Sequence, residues 1–178
     1  SGASWYKDGF YYSRYGQPLD GQELTNVNEH QMLYYHKLGT TQEEDQLVYK
    51  NDEVASMMFN ADVINERYLI IYVRDWNSLG NALYMQDLKE ENTGIKKIAN
   101  DFGNDFYAIA AIDGKLLVLT NKKAPNYQLL TYDLKSISPD NYKVLIPGKS
   151  SVLESVTLLN GKIYAQYMKD VHNVIELY

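Results

Sequence analysis

A repeat of forty-seven residues is the strongest constraint this chain places on its own fold. Three apolar runs each follow a short polar turn in the same manner. Glu66-Arg67 precedes Tyr68-Leu69-Ile70-Ile71-Tyr72-Val73, Asp113-Gly114-Lys115 precedes Leu116-Leu117-Val118-Leu119, and Asn160-Gly161-Lys162 precedes Ile163-Tyr164-Ala165-Gln166-Tyr167. Arg67, Gly114 and Gly161 mark the beat at intervals of 47 residues. The next run keeps it, in Ala82–Leu88, Gln128–Leu134 and Asn173–Leu177, with Asp87 and Asp133 in matching places. An earlier copy opens at Gly9-Phe10-Tyr11-Tyr12 and carries a longer polar insertion from Gly16 to Glu29, as a loop tolerates.

Runs of this length, separated by polar turns and without helical periodicity, are strands. Within the second repeat they fall near Ser56–Val63, Tyr68–Arg74, Ala82–Leu88 and Ile95–Ala99. Four short strands per repeat of forty-odd residues make the blade of a β-propeller. The blades read as Ser1–Tyr49, Ala55–Ala99, Asp105–Ile146 and Leu153–Tyr178, the last ending after its third strand. The fold class expected is all-β, a propeller fragment of about 3.75 four-stranded antiparallel blades, where closed propellers carry roughly four to eight. No Pro/Gly/Ser-rich linker marks a second domain.

Composition agrees with strands and narrows the function. Tyrosine reaches 17 residues against 4 phenylalanines and 2 tryptophans, and its ring suits a half-buried pleated surface with the hydroxyl at water or a carbonyl. A net charge of −6, with no basic cluster beyond Lys96-Lys97 and Lys122-Lys123, argues against nucleic acid as a partner. No apolar run has the length of a membrane span, so the expectation is a soluble protein without a membrane partner. The absence of cysteine removes disulfides and thiolate chemistry and leaves cytoplasm and periplasm both open.

The groups that could carry chemistry read as structural. No Gly-x-Ser-x-Gly elbow surrounds any serine, so no catalytic residue is assigned. His30, His36 and His172 are too scattered for a metal set and read as surface or strand-end residues; no metal or cofactor is expected. Asp87 and Asp133 recur with the period, which points to a hydrogen bond to local turn backbone. Asp8-Gly9, Asp113-Gly114 and Asn160-Gly161 read as positive-φ hairpin turns, and Glu43-Glu44-Asp45 as a solvated one. A hairpin is expected from Met32–His36 through the turn Gly39–Gln42 to Gln46–Tyr49.

Three stretches carry more than pattern: Asp8-Gly9-Phe10-Tyr11-Tyr12-Ser13-Arg14-Tyr15, the hairpin from His30 to Tyr49 with Leu33-Tyr34-Tyr35-His36-Lys37-Leu38-Gly39-Thr40 at its centre, and Thr120-Asn121-Lys122-Lys123-Ala124-Pro125-Asn126-Tyr127. Over nearly its whole length the chain resembles the β-propeller domain of prolyl oligopeptidases, serine peptidases that cut short peptides after proline. The resemblance implies a seven-bladed propeller, of which this is roughly half. It also implies a parent whose Ser-His-Asp triad lies in an α/β-hydrolase domain absent from this chain. The propeller's implied part is to gate that site for short peptides. The loop Arg74-Asp75-Trp76-Asn77-Ser78 matches one that faces the substrate's outer residues, making Arg74, Trp76 and Asn77 the candidate pocket residues. Arg74 follows its strand as the family's arginine does, whereas Trp76 and Asn77 depart from the family's side chains. A Trp76 packed on a neighbouring blade is the structural alternative. Two other functions fit the pattern: a non-catalytic propeller scaffold, and the propeller of an oligopeptidase specific for basic residues. Bare faces on the first and last blades lead us to expect self-association.

Overall fold

The computed structural model describes residues 2–16, 28–90 and 94–178, so most of the insertion expected after Gly16 lies outside the described residues. The strands are β1 (Ser4–Tyr6), β2 (Gly9–Arg14), β3 (Met32–Lys37), β4 (Gln46–Lys50), β5 (Met57–Ile64), β6 (Tyr68–Asp75), β7 (Ala82–Asp87), β8 (Lys96–Ala99), β9 (Phe106–Ile112), β10 (Lys115–Thr120), β11 (Gln128–Asp133), β12 (Tyr142–Ile146), β13 (Val152–Leu159), β14 (Lys162–Lys169) and β15 (His172–Leu177). They form sheets in the orders β1-β2-β3-β4, β5-β6-β7-β8, β9-β10-β11-β12 and β13-β14-β15. Each sheet is an antiparallel meander in chain order, the all-β blade arrangement that the repeat dictates. The four strands of the second sheet each begin and end within one residue of their expected places.

The chain divides into two compact units, residues 1–78 with 84–94 and residues 79–83 with 95–178. In the first unit Leu33, Phe59, Leu69, Ile70, Ile71 and Val73 lose essentially all contact with solvent. Each such side chain contributes about 1.5–3 kcal/mol by leaving water. Tyr49 sets its ring edge-on to Phe59 at 5.1 Å and to Tyr84 at 5.8 Å. The first sheet is tied to β5 by polar bonds: Ser13 Oγ donates to the Phe59 carbonyl at 2.5 Å, and the Phe59 amide to Gln31 Oε1 at 2.6 Å. In the second unit Leu117, Leu119, Leu129, Ile146, Leu153, Val156, Ala165 and Tyr167 form one apolar cluster.

Burial explains why some runs are continuous and others alternate. Tyr68–Ile71 of β6 and Leu116–Leu119 of β10 are buried on both faces, so no charged or amide side chain interrupts them. In β14, buried Ala165 and Tyr167 alternate with half-buried Tyr164, Gln166 and Met168, the pattern of a pleat covered on one side.

Turn chemistry holds at two of the three Asx-Gly pairs. Asp113 (φ 49°) with Gly114 (φ 71°) and Asn160 (φ 51°) with Gly161 (φ 72°) make turns of the primed type. Asp8-Gly9 is a correction: the turn residues are Lys7 and Asp8, since Tyr6 pairs with Gly9 across the hairpin. Gly9 is glycine because the His36 carbonyl and the Tyr35 ring occupy the space of a Cβ. Between β6 and its predecessor the turn positions are Asn65 (φ 55°) and Glu66 (φ 49°), and Arg67 is an additional residue before the strand.

The period also repeats a latch. The amides of Leu38, Leu88 and Leu134, each just past a third strand, donate to the carbonyls of Asp8 (2.9 Å), Arg67 (2.7 Å) and Gly114 (2.9 Å). Asp87 and Asp133 accept from the amides of Lys89 (3.0 Å) and Lys135 (2.8 Å), the turn role expected of them. Asp87 is further gripped by Arg67 through Nε at 3.0 Å and Nη2 at 2.7 Å. The first sheet reverses the charges, with Lys37 on the third strand 3.3 Å from Asp8.

One turn runs against its sequence. Asp170 (φ 47°) and Val171 (φ 66°) join β14 to β15, and Val171 is 96% exposed. A β-branched residue in the left-handed region costs roughly 1–2 kcal/mol, with no packing here to offset it. Val171→Gly is expected to raise stability by about 1 kcal/mol, read as a higher midpoint of denaturant unfolding.

Candidate functional site

The candidate residues Arg74, Trp76 and Asn77 fall at the end of β6 and in the turn after it. The turn is built by Asp75. Its Oδ1 accepts from the Asn77 amide at 3.1 Å and from Ser56 Oγ at 2.9 Å. Its carbonyl accepts from the Ser78 amide at 3.0 Å and Ser78 Oγ at 2.7 Å. This is an Asx turn with a serine lock. The Asn77 amide and then the Ser56 hydroxyl hold the Asp75 carboxyl below the usual carboxylate range, so it stays an acceptor. Arg74, paired with Met58 across the sheet, is exposed, as is Asn77. Trp76 is 61% exposed. The turn thus presents a cation, an indole and an amide to solvent on a short rigid support. Asp75 is the positioning residue that side-chain matching did not single out; an Asp two residues before an Asn in a turn was the available signal.

The loop between β10 and β11 is tied down at both ends. The Ala124 amide donates to the Asn121 carbonyl at 3.0 Å, and the Tyr127 amide to the Ala124 carbonyl at 2.8 Å. Asn121 Oδ1 accepts from the Asp105 amide at 2.8 Å, and Asn126 Nδ2 donates to the carbonyls of Lys149 (3.0 Å) and Ser150 (2.9 Å). Lys122 lies 3.6 Å from Asp101 and over the Tyr142 ring at 5.6 Å. Its family-like wording therefore fixes a loop shape.

Beside it the Tyr127 hydroxyl donates to Asp105 Oδ2 at 2.7 Å. Burial first, and then the Asp105 carboxylate, push the Tyr127 phenol up to about 12. An ordinary tyrosine ionises near ~10. Because the folded value is the higher one, its stabilisation is complete below about pH 10 and is lost as pH rises through about 12. Alkaline unfolding is expected to steepen in that window and to flatten in Tyr127→Phe, followed by circular dichroism at fixed temperatures.

The acidic turn after Thr41 corrects another expectation. Gln42–Glu44 form a short 3-10 turn, closed by Glu44 Oε1 accepting from the Thr41 amide at 3.0 Å. Asp45 is not solvated: its side chain is inaccessible, 2.7 Å from His36 Nδ1 and in contact with the Tyr12 hydroxyl, which also accepts from Gln42 Nε2 at 3.2 Å. His36 is accordingly a half-buried anchor of the hairpin and not a free strand-end residue. Among the described residues no three His, Asp or Glu side chains converge in a way that could hold a metal ion, and no helix is long and apolar enough to cross a membrane.

These sheets and loops can be set beside known proteins. The sequence profile described as the prolyl oligopeptidase N-terminal β-propeller domain matches residues 1–178. The chain belongs to that family. It is 34% identical over 181 residues to a prolyl endopeptidase of Elizabethkingia meningoseptica, covering 100% of this chain and 25% of that protein. With prolyl oligopeptidase A of Amanita bisporigera the identity is 35% over 193 residues, again 100% of this chain and 25% of the other. Among solved structures, prolyl oligopeptidase B of Galerina marginata bound to a 35mer hydrolysis and macrocyclization substrate superposes with a TM-score of 0.87 at 30% identity, covering 100% of this chain and 25% of that one. Oligopeptidase B of Leishmania major, at 16% identity and a TM-score of 0.75, shares the fold. The chain spans about a quarter of the length of the prolyl oligopeptidases it matches.

Proposed function

We propose that this chain is part of the gating propeller of a serine endopeptidase of the prolyl oligopeptidase type, which cleaves short peptides after proline. The observation that carries the reading is the family match across residues 1–178, joined to relatives above 30% identity that are prolyl endopeptidases and oligopeptidases. The four blades are taken as 1–49, 55–99, 105–146 and 153–178. Bond cleavage belongs to an α/β-hydrolase domain of the parent polypeptide, where a serine attacks the prolyl carbonyl, a histidine takes its proton and an aspartate orients the histidine. The propeller contributes exclusion: a wall over the site admits short peptides and turns away folded chains.

In this reading Arg74, Trp76 and Asn77 face the outer residues of the bound peptide. The exposure of Trp76 on a turn braced by Asp75 supports that role. A residue that binds substrate away from the scissile bond affects binding more than chemistry. In the full-length parent, Trp76→Ala is expected to raise KM about fivefold with kcat little changed, a loss of roughly 1 kcal/mol of uniform binding. Unchanged kinetics across peptides of several lengths would remove the loop from the site. The wider reading is tested on the parent with a chromogenic glycyl-prolyl substrate and a fluorophosphonate label. The parent is expected to turn over and to label, and this chain alone to do neither. This chain is also proposed to associate with itself.

A further inference from the structure

A groove of about 550 Å³ lies between β9 and β13, the first strands of the third and fourth sheets. Leu119, Leu153 and Val156 line it as buried side chains, whereas Tyr107 and Val152, 40% and 38% exposed, stand at its mouth. Tyr127 adds a ring whose hydroxyl is already committed to Asp105. Among the described residues that line the groove, Glu154 alone carries charge, and its Oε2 accepts a hydrogen bond from Gln166 Nε2 at 3.2 Å. An apolar recess of this size with a single well-placed polar group is the usual form of a ligand site. Both walls belong to one compact unit, so the groove does not depend on where the sequence ends.

The backbone is bent at this place on both sides. In β9, Ala108 faces Val118 and Ala110 faces Leu117, which leaves Ile109 as an extra residue. In β13, Leu153 faces Tyr167 and Ser155 faces Gln166, which leaves Glu154 as another. Both bulged residues line the groove. A bulge turns a side chain out of the regular pleat, and it costs ladder bonds to do so. The first strand of the second sheet shows no such break: β5 pairs with β6 from Met57 to Ile64 without a shift.

We propose that this groove is a subsite for the substrate peptide, taking an apolar side chain ahead of the proline with a cationic group beside it on Glu154. The proposal rests on the peptidase reading above and adds a recognition surface to it. The occupant follows from the lining. Tyr107, Ile109 and Val152 offer an apolar side chain surface on which to leave water. Glu154 attracts a lysine, an arginine or the terminal ammonium that a short peptide carries at its amino end, and it repels an acidic neighbour. The position agrees. Leu119 and Tyr127 flank the connection from β10 to β11, whose place in the repeat is that of the turn from β6 to β7 bearing Trp76. Groove and turn thus sit at corresponding ends of their own sheets.

Fluorescence anisotropy of this chain with a peptide carrying fluorescein at its carboxyl end tests this. The probe has leucine and lysine ahead of a glycyl-prolyl pair; two counterparts have glutamate for the lysine or glycine for the leucine. The first is expected to bind, and each counterpart to bind about fivefold more weakly. Glu154→Lys is expected to reverse the preference for lysine over glutamate, and Tyr107→Ala to weaken the first peptide about tenfold. Both residues are exposed, and an unchanged circular dichroism spectrum checks that the variants fold. In the full-length parent the same peptides, unlabelled, are expected to keep this order in kcat/KM, and Glu154→Lys to invert it. A chain that binds none of the peptides, or binds all three alike, overturns the subsite and leaves the peptidase reading standing. Variants that bind as the wild type does have the same meaning. So does a parent whose preference ignores Glu154→Lys although the binding of this chain does not, since the parent's own polypeptide then fills the groove. A parent that cleaves no prolyl peptide overturns the peptidase reading, and the subsite with it.

Discussion

Asn81→Ala is expected to lower stability by about 3 kcal/mol, seen as a fall of ~9 °C in the thermal midpoint. Asn81 is only 4% exposed, yet it carries an amide with four hydrogen-bonding sites. Its Oδ1 accepts from the Phe106 amide at 3.0 Å and its Nδ2 donates to the Phe106 carbonyl at 3.0 Å and the Ala82 carbonyl at 3.1 Å. The side chain thus stands in for a strand neighbour, satisfying both backbone groups of Phe106. The main chain reinforces it: the Gly80 and Asn81 amides donate to the carbonyls of Phe102 (2.9 Å) and Asn104 (3.0 Å). Alanine would leave a buried amide and a buried carbonyl without partners, and each costs about 1–3 kcal/mol. Asn81→Asp separates the two bonds. It keeps the acceptor for the Phe106 amide and turns a carboxylate on the Phe106 carbonyl, so it too is expected to destabilise. A change below about 0.5 kcal/mol in both variants, which is the scatter of ordinary surface substitutions, would show that the bridge carries no weight.

Gly9→Ala is expected to be comparably damaging, at about 3 kcal/mol, for a steric reason. A Cβ on Gly9 would overlap the His36 carbonyl oxygen and approach the Tyr35 ring to 2.7 Å. The ring can turn, but the carbonyl belongs to the ladder in which Phe10 faces His36 and Gly9 faces Lys37. Relief requires β2 and β3 to part, which also disturbs the bond of the Tyr35 hydroxyl to the Tyr6 carbonyl at 2.9 Å. Gly103→Ala is the control, since the nearest atom to its Cβ would be 3.9 Å away. Urea unfolding of the three proteins checks the contrast. Equal midpoints for Gly9→Ala and wild type would mean that the strand pair yields more easily than a packed ladder should.

These two residues also show where sequence reading stopped. The repeat was legible because blade geometry is local: strand length, turn residues and the alternation of apolar side chains are set within a few neighbours. That is why Tyr68–Val73 and Leu116–Leu119 were readable as strands, and why Asp87 and Asp133 were readable as turn acceptors from their period alone. The family was legible for another reason, the wording of the hairpin around Leu33–Thr40 and of the loop 120–127. The candidate turn was readable as Arg74, Trp76 and Asn77, but its brace, Asp75 with Ser56, joins the end of β6 to the turn before β5, 19 residues earlier in the chain.

What the sequence by itself determined is therefore the periodic part: an all-β chain of blade-sized meanders and the family to which they belong. The tertiary structure alone decided the partners that lie far apart in the chain. Asp45 reads as a solvated acid until the fold sets His36 and Tyr12 against it. Gly9 reads as a turn glycine until β3 crosses it. Asn81 reads as loop until Phe106 presents both backbone groups to it. In each case the sequence supplies a residue with hydrogen-bonding or steric capacity, and only the packing of distant segments says what that capacity meets. Periodicity reports the side of a strand that faces the core, whereas buried polar pairs depend on contacts that no local pattern encodes.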